Sequence, residues 1–183
     1  MPDRPCLIII DMLGDFLDRW EDEPRDQLIT HTNELISAFR QHGHPVIWVR
    51  QAFRADLSDA FLEMRDKQIS KTIEGTKGAE IHPGLDRQPG DVVILKKRYS
   101  AFFNTNLDQV LSELQPSQLV LAGVNTHACI RMAAIDAYQR DYRVIIATDC
   151  TGSHDDEHAR VSLAYMQDKI ARLRSNSDII SAL

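Results

Sequence analysis

The chain has 183 residues, of which 43% are hydrophobic and 26% are charged, close to the averages of soluble globular domains. Its 21 lysines and arginines against 27 acidic residues give a formal net charge of −6, which disfavours nucleic acid and anionic membrane surfaces as partners. Three widely spaced cysteines indicate neither a disulfide framework nor a C-x-x-C metal site. No apolar run reaches the roughly 20 residues of a membrane span, and no signal-peptide pattern is present. We therefore expect one cytoplasmic domain over residues 1–183.

Apolar runs rich in β-branched residues alternate along the chain with helical patterns. Such runs predict strands at residues 6–10, 45–49, 91–95, 118–122 and 143–147. Helices are predicted at about 24–42, 104–115, from about 126 and at 155–168, before a short strand at about 170–173 and a terminal helix capped near Ser175. Residues 51–90, with several glycines and prolines, predict an elaborated loop. This alternation predicts a three-layer α/β/α Rossmann-like fold with a mainly parallel sheet.

Three polar side chains lie where predicted strands end. Asp11 follows the first strand, Lys96 follows the third, and Cys129 lies in the first turn of the helix after the fourth. Because ligands bind beyond the carboxyl ends of parallel strands, we expect these side chains to share one edge of the sheet. A helix N-terminus and a nearby cation lower the pKa of a thiol and favour the nucleophilic thiolate. Backbone N–H groups of Ala128 and Cys129, free in that first turn, would stabilise an oxyanion.

Each of these residues also has an ordinary structural interpretation. A lone cysteine in an amphipathic helix is commonly a small buried hydrophobe. An aspartate at a strand end can cap a turn, and Lys96 with its basic neighbours can form a solvated strand exit. Spacing alone therefore leaves both interpretations open.

Four sequence blocks resemble the isochorismatase-like cysteine hydrolase family, which includes isochorismatases, nicotinamidases, N-carbamoylsarcosine amidases and ureidoacrylate hydrolases. They are Ile8-Ile9-Ile10-Asp11-Met12 with Asp15-Phe16, Gly75-Thr76-x-Gly78-Ala79-Glu80-Ile81, Lys96-x-x-x-Ser100-Ala101-Phe102 with Asn106-Leu107, and Gly123-Val124-x-Thr126-x-x-Cys129 with Ala133 and Asp136-Ala137. The blocks occur in the family's order over nearly the whole chain. The resemblance implies that Asp11 is the general base, that Lys96 keeps both partners charged, and that Cys129 is the nucleophile. It also implies a cis peptide between Val124 and Asn125.

The region after the second strand departs from the nicotinamidases of this family, which bind a metal there through Asp-x-His. This chain has Arg50-Gln51-Ala52-Phe53 instead, so we expect no metal and no cofactor. His154 and His158 are spaced for metal binding on one helical face, but the acidic residues around them favour a solvated helix start.

Candidate pocket residues come from the strand ends and from the aromatic residues of the matching blocks. They are Phe16, Arg50, Gln51, Tyr99, Phe102 and His127. The aromatic residues fit an ordinary core equally well, and Arg50 also fits a surface salt bridge.

The sequence and the resemblance together favour a metal-independent cysteine hydrolase that acts on a small amide, carbamoyl or ureido substrate through a thioester. Two alternatives stay open. One is vinyl ether hydrolysis of the isochorismatase type, and the other is a non-catalytic ligand-binding or thiol-reactive regulatory protein on the same fold. By analogy with the family, we expect a homo-oligomer, either a dimer or a tetramer.

Overall fold

A parallel sheet forms the middle layer of the molecule. The computed structural model describes residues 4–183, and within them six strands pair in the order β3-β2-β1-β4-β5-β6. The strands are β1 (Pro5–Ile10), β2 (Val46–Gln51), β3 (Val92–Lys96), β4 (Gln118–Val124), β5 (Arg143–Gly152) and β6 (Arg172–Arg174). All five pairings are parallel. The predicted fold class is confirmed.

Helices cover both faces of the sheet. They are α1 (Gly14–Leu17), α2 (Asp22–Gln41), α3 (Leu62–Asp66), α4 (Leu107–Leu114), α5 (Arg131–Tyr138), α6 (Asp156–Met166) and α7 (Asn176–Ile180). A 3₁₀ turn occupies Lys77–Ala79, and the helix predicted from residue 126 begins as a π-helical turn, Thr126–Ile130. In this described part of the chain, no helix has both the length and the apolar character needed to cross a membrane.

The alternation of side chains along β1 explains its uninterrupted apolar sequence. Leu7 and Ile9 pack in a cluster that includes the apolar face of α2, whereas Ile8 and Ile10 pack in the opposite cluster with α4 and α5. Successive residues of a strand point to opposite faces, and both faces of this strand are covered, so every position of β1 is buried. The two cores leave only the ends of β1 available for polar chemistry.

Gly123 allows β4 to lie close to β1 near the carboxyl edge. It pairs with Ile10 in the β1–β4 register and has φ of +121°, a conformation that side-chain-bearing residues rarely adopt. A Cβ at this position would lie 1.9 Å from the carbonyl oxygen of Ile10. The glycine therefore permits the close approach of two strands whose ends carry Asp11 and the turn with Cys129.

Candidate active site

Asp11, Lys96 and Cys129 meet at the carboxyl edge of the sheet. The Nζ of Lys96 lies 2.6 Å from Oδ2 of Asp11 and 3.4 Å from Sγ of Cys129, and it donates a hydrogen bond to the Arg98 carbonyl at 3.0 Å. The side chains of Asp11 and Lys96 are fully buried, and Cys129 is 3% exposed. The structure thus brings the three predicted residues into one buried cluster with the ammonium in the middle.

The backbone around β1 and β2 fixes the orientation of the Asp11 carboxylate. Its N–H donates to the Val49 carbonyl at 2.9 Å, and its Oδ1 accepts a hydrogen bond from the Gln51 N–H at 2.8 Å. Asp11 has φ of +55°, which aspartate tolerates better than most residues. Its Oδ2 faces Lys96 at ion-pair distance, yet this atom accepts no well-aligned hydrogen bond from the described residues. That oxygen is electrostatically stabilised and can still accept a proton.

The surroundings of Cys129 act in opposite directions on the pKa of its thiol. Burial raises the pKa of Cys129 to about 12, the negative charge of Asp11 adds to the rise, and the ammonium of Lys96 opposes it. For Lys96, burial lowers the pKa, but Asp11 and Cys129 outweigh burial and the pKa is raised. The direction of this shift is opposite to the lowered pKa that the sequence predicts, because burial and the carboxylate together exceed the effect of the cation.

The turn that carries Cys129 differs from a regular helix start. The peptide between Val124 and Asn125 is cis, where the resemblance places one. The Ala128 N–H donates to the Asn125 carbonyl at 3.0 Å, so the prediction that this amide is free is wrong. In a regular helix start the acceptor four residues back is missing, whereas in this turn the carbonyl three residues back accepts the hydrogen bond. An oxyanion role for the Cys129 N–H stays a prediction.

A cavity of about 460 Å³ lies against Cys129. Four of the predicted pocket residues line it, namely Phe16, Gln51, Tyr99 and His127. Gln51 is only 5% exposed, and its Nε2 has no hydrogen-bond acceptor among the described residues. A larger cavity of about 620 Å³ lies between α2 and the end of β5 and contacts none of Asp11, Lys96 and Cys129. The smaller cavity is the candidate substrate site, because it contains the sulfur.

Two predicted pocket residues lie elsewhere. Arg50 donates to the Ala79 carbonyl at 3.1 Å and pairs with Glu80 at 3.1 Å, because its side chain leaves β2 on the opposite face from that of Gln51. Phe102 is 3% exposed and belongs to the core that holds Ile8 and Ile10. The prediction that these two side chains line the pocket is wrong.

Much of the cavity wall comes from the segment predicted as an irregular loop. Wall residues that the sequence did not single out for the site include Phe61, Met64, Ile69, Lys71 and His154. Phe61 and Met64 are three residues apart, a spacing typical of one face of a helix. No pattern in the sequence showed that this stretch turns back over the sulfur.

A group of histidines borders the cavity. His127 Nδ1 lies 2.6 Å from Ser153 Oγ, and the ring centres of His154 and His158 lie 5.3 and 6.0 Å from that of His127. Burial lowers the pKa of His127, and the neighbouring histidines add to this effect. His158 instead pairs with Asp155 at 2.6 Å, which raises its pKa.

No group of three or more metal-ligating side chains with suitable geometry occurs in residues 4–183. The expectation of a metal-free site stays a prediction.

Other residues of the matching blocks hold the walls rather than contact the sulfur. Asp15 Oδ2 accepts a hydrogen bond from the Thr72 N–H at 2.6 Å. A Cβ on Gly78 would lie 2.3 Å from the Asp15 carboxyl group, so glycine is needed for that carboxylate to reach the loop. Ser100 donates a short hydrogen bond to Asp136 of α5 and accepts one from the Phe102 N–H. These contacts connect the loop segments to the sheet edge.

A buried thiol, ammonium and carboxylate at the carboxyl edge of a parallel sheet define a class of α/β proteins with a cysteine-centred site. The family model described as the Isochorismatase domain matches residues 5–178. The chain belongs to this family of isochorismatase-like hydrolases.

Three similar proteins illustrate the relationship. A protein named probable inactive nicotinamidase, from Arabidopsis thaliana, is 34% identical over 81% of this chain and 80% of its own. The crystal structure of an isochorismatase family protein from Desulfovibrio vulgaris has a TM-score of 0.87 with 28% identity, over 98% of each chain. N-carbamoylsarcosine amidase from Thermoplasma acidophilum has a TM-score of 0.80 with 26% identity, over 94% of this chain and 96% of its own.

Proposed function

We propose that this protein is a metal-independent cysteine hydrolase that cleaves the C–N bond of a small amide, carbamoyl or ureido compound through a thioester on Cys129. The observation that carries the proposal is the position of the Lys96 ammonium, 2.6 Å from the Asp11 carboxylate and 3.4 Å from the Cys129 sulfur, beside a cavity. This arrangement supplies a nucleophile, a proton acceptor and a fixed positive charge at one point.

The raised pKa of Cys129 is compatible with nucleophilic attack. Loss of the thiol proton to solvent would leave two negative charges, on sulfur and on Asp11, in a buried site, and this is why the pKa is high. Transfer of the same proton from sulfur to Asp11 leaves the net charge of the cluster unchanged. The reactive thiolate therefore forms by internal proton transfer next to the Lys96 ammonium.

The reaction then proceeds in two balanced stages. Sγ of Cys129 bonds to the carbonyl carbon as its proton passes to Asp11, and the proton moves on to the leaving nitrogen as the C–N bond breaks. Water next attacks the thioester and gives a proton to Asp11. The C–S bond breaks, and that proton returns to sulfur. The products are a carboxylic or carbamic acid and an amine.

Gln51 and the Cys129 turn supply the donors for substrate positioning. The buried Nε2 of Gln51 lines the cavity without an acceptor among residues 4–183, and an unpaired buried donor is costly until a ligand oxygen accepts its hydrogen bond. The Cys129 amide is the proposed oxyanion donor. The Ala128 amide can contribute only if it shares the hydrogen that it now gives to Asn125.

The comparisons support amide chemistry without fixing the substrate. One structural neighbour is named as an N-carbamoylsarcosine amidase, and a second, from Bacillus subtilis, as a nicotinamidase. Vinyl ether hydrolysis has less need of a nucleophilic thiol, so the Lys96–Cys129 contact favours acyl transfer over it.

The test is the covalent intermediate. Wild type and Cys129→Ala are incubated with a panel of amides, carbamoyl compounds, ureides and isochorismate, and then acid-quenched for intact mass measurement. We expect wild type to hydrolyse a C–N substrate and to carry its acyl mass on Cys129, and the variant to do neither. Turnover by Cys129→Ala, or hydrolysis of isochorismate alone with no adduct, would overturn the proposal. Absence of all turnover, with ligand binding retained, would favour the non-catalytic alternative.

We also propose a cytoplasmic homo-oligomer whose partner is a small molecule rather than nucleic acid. The net charge of −6 supports the last part, because it opposes binding to a phosphate backbone.

A further inference from the structure

Lys71 places a positive charge in the wall of the cavity that contains Cys129. Its Nζ lies 4.5 Å from the ring centre of Phe16, a cation–π contact that holds the ammonium over an apolar surface. Within residues 4–183, no carboxylate forms an ion pair with this ammonium. Asp15 is the acidic side chain whose charge acts on the pKa of Lys71. Its Oδ2 already accepts a hydrogen bond from the Thr72 N–H.

The acidic and histidine side chains of the wall already have hydrogen-bond or ion-pair partners. Glu63 pairs with Lys67 at 2.6 Å, His127 contacts Ser153, and His154 contacts Asn125 at 3.2 Å. Lys71 differs from them because, within residues 4–183, its ammonium contacts the Phe16 ring and forms no ion pair.

This unpaired charge is energetically unfavourable in the free protein. Burial lowers the pKa of Lys71, and the like charge of Arg19 lowers it further, with Asp15 opposing. An anion that binds beside the ammonium would remove this cost, and the partly apolar wall would strengthen the pairing relative to open water.

We propose that the substrate carries a carboxylate that pairs with Lys71 while its amide or ureido carbon lies at Cys129. This inference rests on the proposed hydrolase function and adds the charge class of the substrate. Lys71 is a specificity residue in this scheme, and it takes no part in bond breaking. The apolar surfaces of Phe16 and Met64 suit a short hydrocarbon linker between the two polar ends.

The test compares matched substrates in matched variants. The monoamide of a short dicarboxylic acid and its neutral methyl ester are assayed with wild type, Lys71→Met, Lys71→Arg and the control Lys77→Met, whose exposed side chain lies outside the cavity. Lys71→Met keeps the aliphatic stem on Phe16 and removes the charge. We expect it to raise KM for the carboxylate substrate about 10-fold, with kcat nearly unchanged and no effect on the ester. Lys71→Arg should restore most of the difference.

A binding measurement separates this inference from the proposed function. Calorimetry measures the affinity of Cys129→Ala, with and without Lys71→Met, for the same carboxylate monoamide and its ester. Carboxylate affinity that falls in the double variant supports the inference even where turnover is absent, in which case only the hydrolase proposal fails. Two results would overturn the inference and leave the hydrolase proposal intact. One is hydrolysis of neutral amides with no preference for the carboxylate substrate, and the other is equal carboxylate affinity in both variants.

Discussion

The Asp11 carboxylate raises the pKa of the Cys129 thiol, so its removal should make the sulfur more reactive while it ends hydrolysis. Asp11→Asn removes one negative charge, and the amide oxygen of the new side chain can still accept the hydrogen bond from the Gln51 N–H. The thiol pKa should therefore fall towards its ordinary value, because the carboxylate no longer adds to the effect of burial and Lys96 still opposes that effect. Hydrolysis should be lost, because the proton acceptor is gone.

The size of the effect follows from the two Lys96 contacts. Distances of 2.6 and 3.4 Å from Nζ place Oδ2 of Asp11 no more than about 6 Å from the sulfur. At this separation and an effective dielectric constant of about 20, two unit charges interact by about 3 kcal/mol, or roughly two pKa units. The thiolate fraction near pH 8 then rises about 100-fold. The less basic thiolate is also less nucleophilic, which lowers its rate constant about 10-fold. We expect a net acceleration of about 10-fold.

The assay is thiol–disulfide exchange with a neutral dipyridyl disulfide, followed by absorbance and mapped by peptide mass spectrometry. Cys6 and Cys150 serve as internal controls, because burial raises the pKa of each to about 12 and Asp11 is not among the causes. Lys96→Met removes the cation that lowers the thiol pKa and should slow the exchange.

A folded Asp11→Asn protein in which Cys129 reacts no faster than in wild type would refute this electrostatic reasoning. Loss of one partner of a buried ion pair costs about 3–5 kcal/mol, so the double variant Asp11→Asn/Lys96→Met provides a stable comparison. Its exchange rate should lie between those of the two single variants.

Three further substitutions test the frame around the site. Gly123→Ala places a methyl group within 1.9 Å of a strand carbonyl, at a residue with positive φ. Urea denaturation should therefore show a free energy of unfolding that is lower by at least about 2 kcal/mol. The control Gly90→Ala has open space around the added methyl and should change this free energy by less than about 0.5 kcal/mol. Gly78→Ala displaces the Asp15 carboxylate and should raise KM more than it lowers kcat in steady-state assays; an unchanged KM would contradict the wall role of that contact. Asp155→Ala removes the side-chain cap of α6 and should lower the melting temperature. This difference should vanish in a comparison made at low pH, because protonation of the carboxylate already weakens the cap in the parent protein.

Local patterns in the sequence predicted the sheet and the strand ends, whereas the roles of the three cluster residues came from the family resemblance. A continuous apolar run followed by a polar residue marks a doubly covered strand and its end, and this rule placed Asp11. The Ser175 cap of α7 was equally local, since its Oγ accepts a hydrogen bond from the Asp178 N–H at 3.2 Å. The sequence could not show that Gln51 lines the cavity and Arg50 does not. Alternation along a strand predicts which residues share a face, but not which face meets the cavity.

The ionisation of Cys129 could not be predicted from its neighbours in the chain. A cation and a helix start both favour a thiolate, and the sequence contained both signals. Burial acts in the opposite direction, and burial is decided by segments distant in sequence that pack over the sulfur. The sign of the pKa shift therefore depends on a competition that only the folded chain resolves.

The same division between sheet and wall indicates where substrate choice is determined. Asp11 and Lys96 belong to strand ends held by the β1–β2 and β2–β3 pairings, so their geometry is set by the sheet. The wall around Lys71 belongs instead to a segment with its own small core, built on Phe53, Leu57 and Ala60. Within this segment, the Phe53 N–H donates a hydrogen bond to the Thr72 carbonyl at 2.8 Å. Because this core is separate from the two that hold the sheet, substitutions in the wall can change the charge and size of the cavity without moving the reacting groups. Under the proposed function, chains that share the cluster can therefore act on different amides, and the proposed role of Lys71 is to make that choice in this chain.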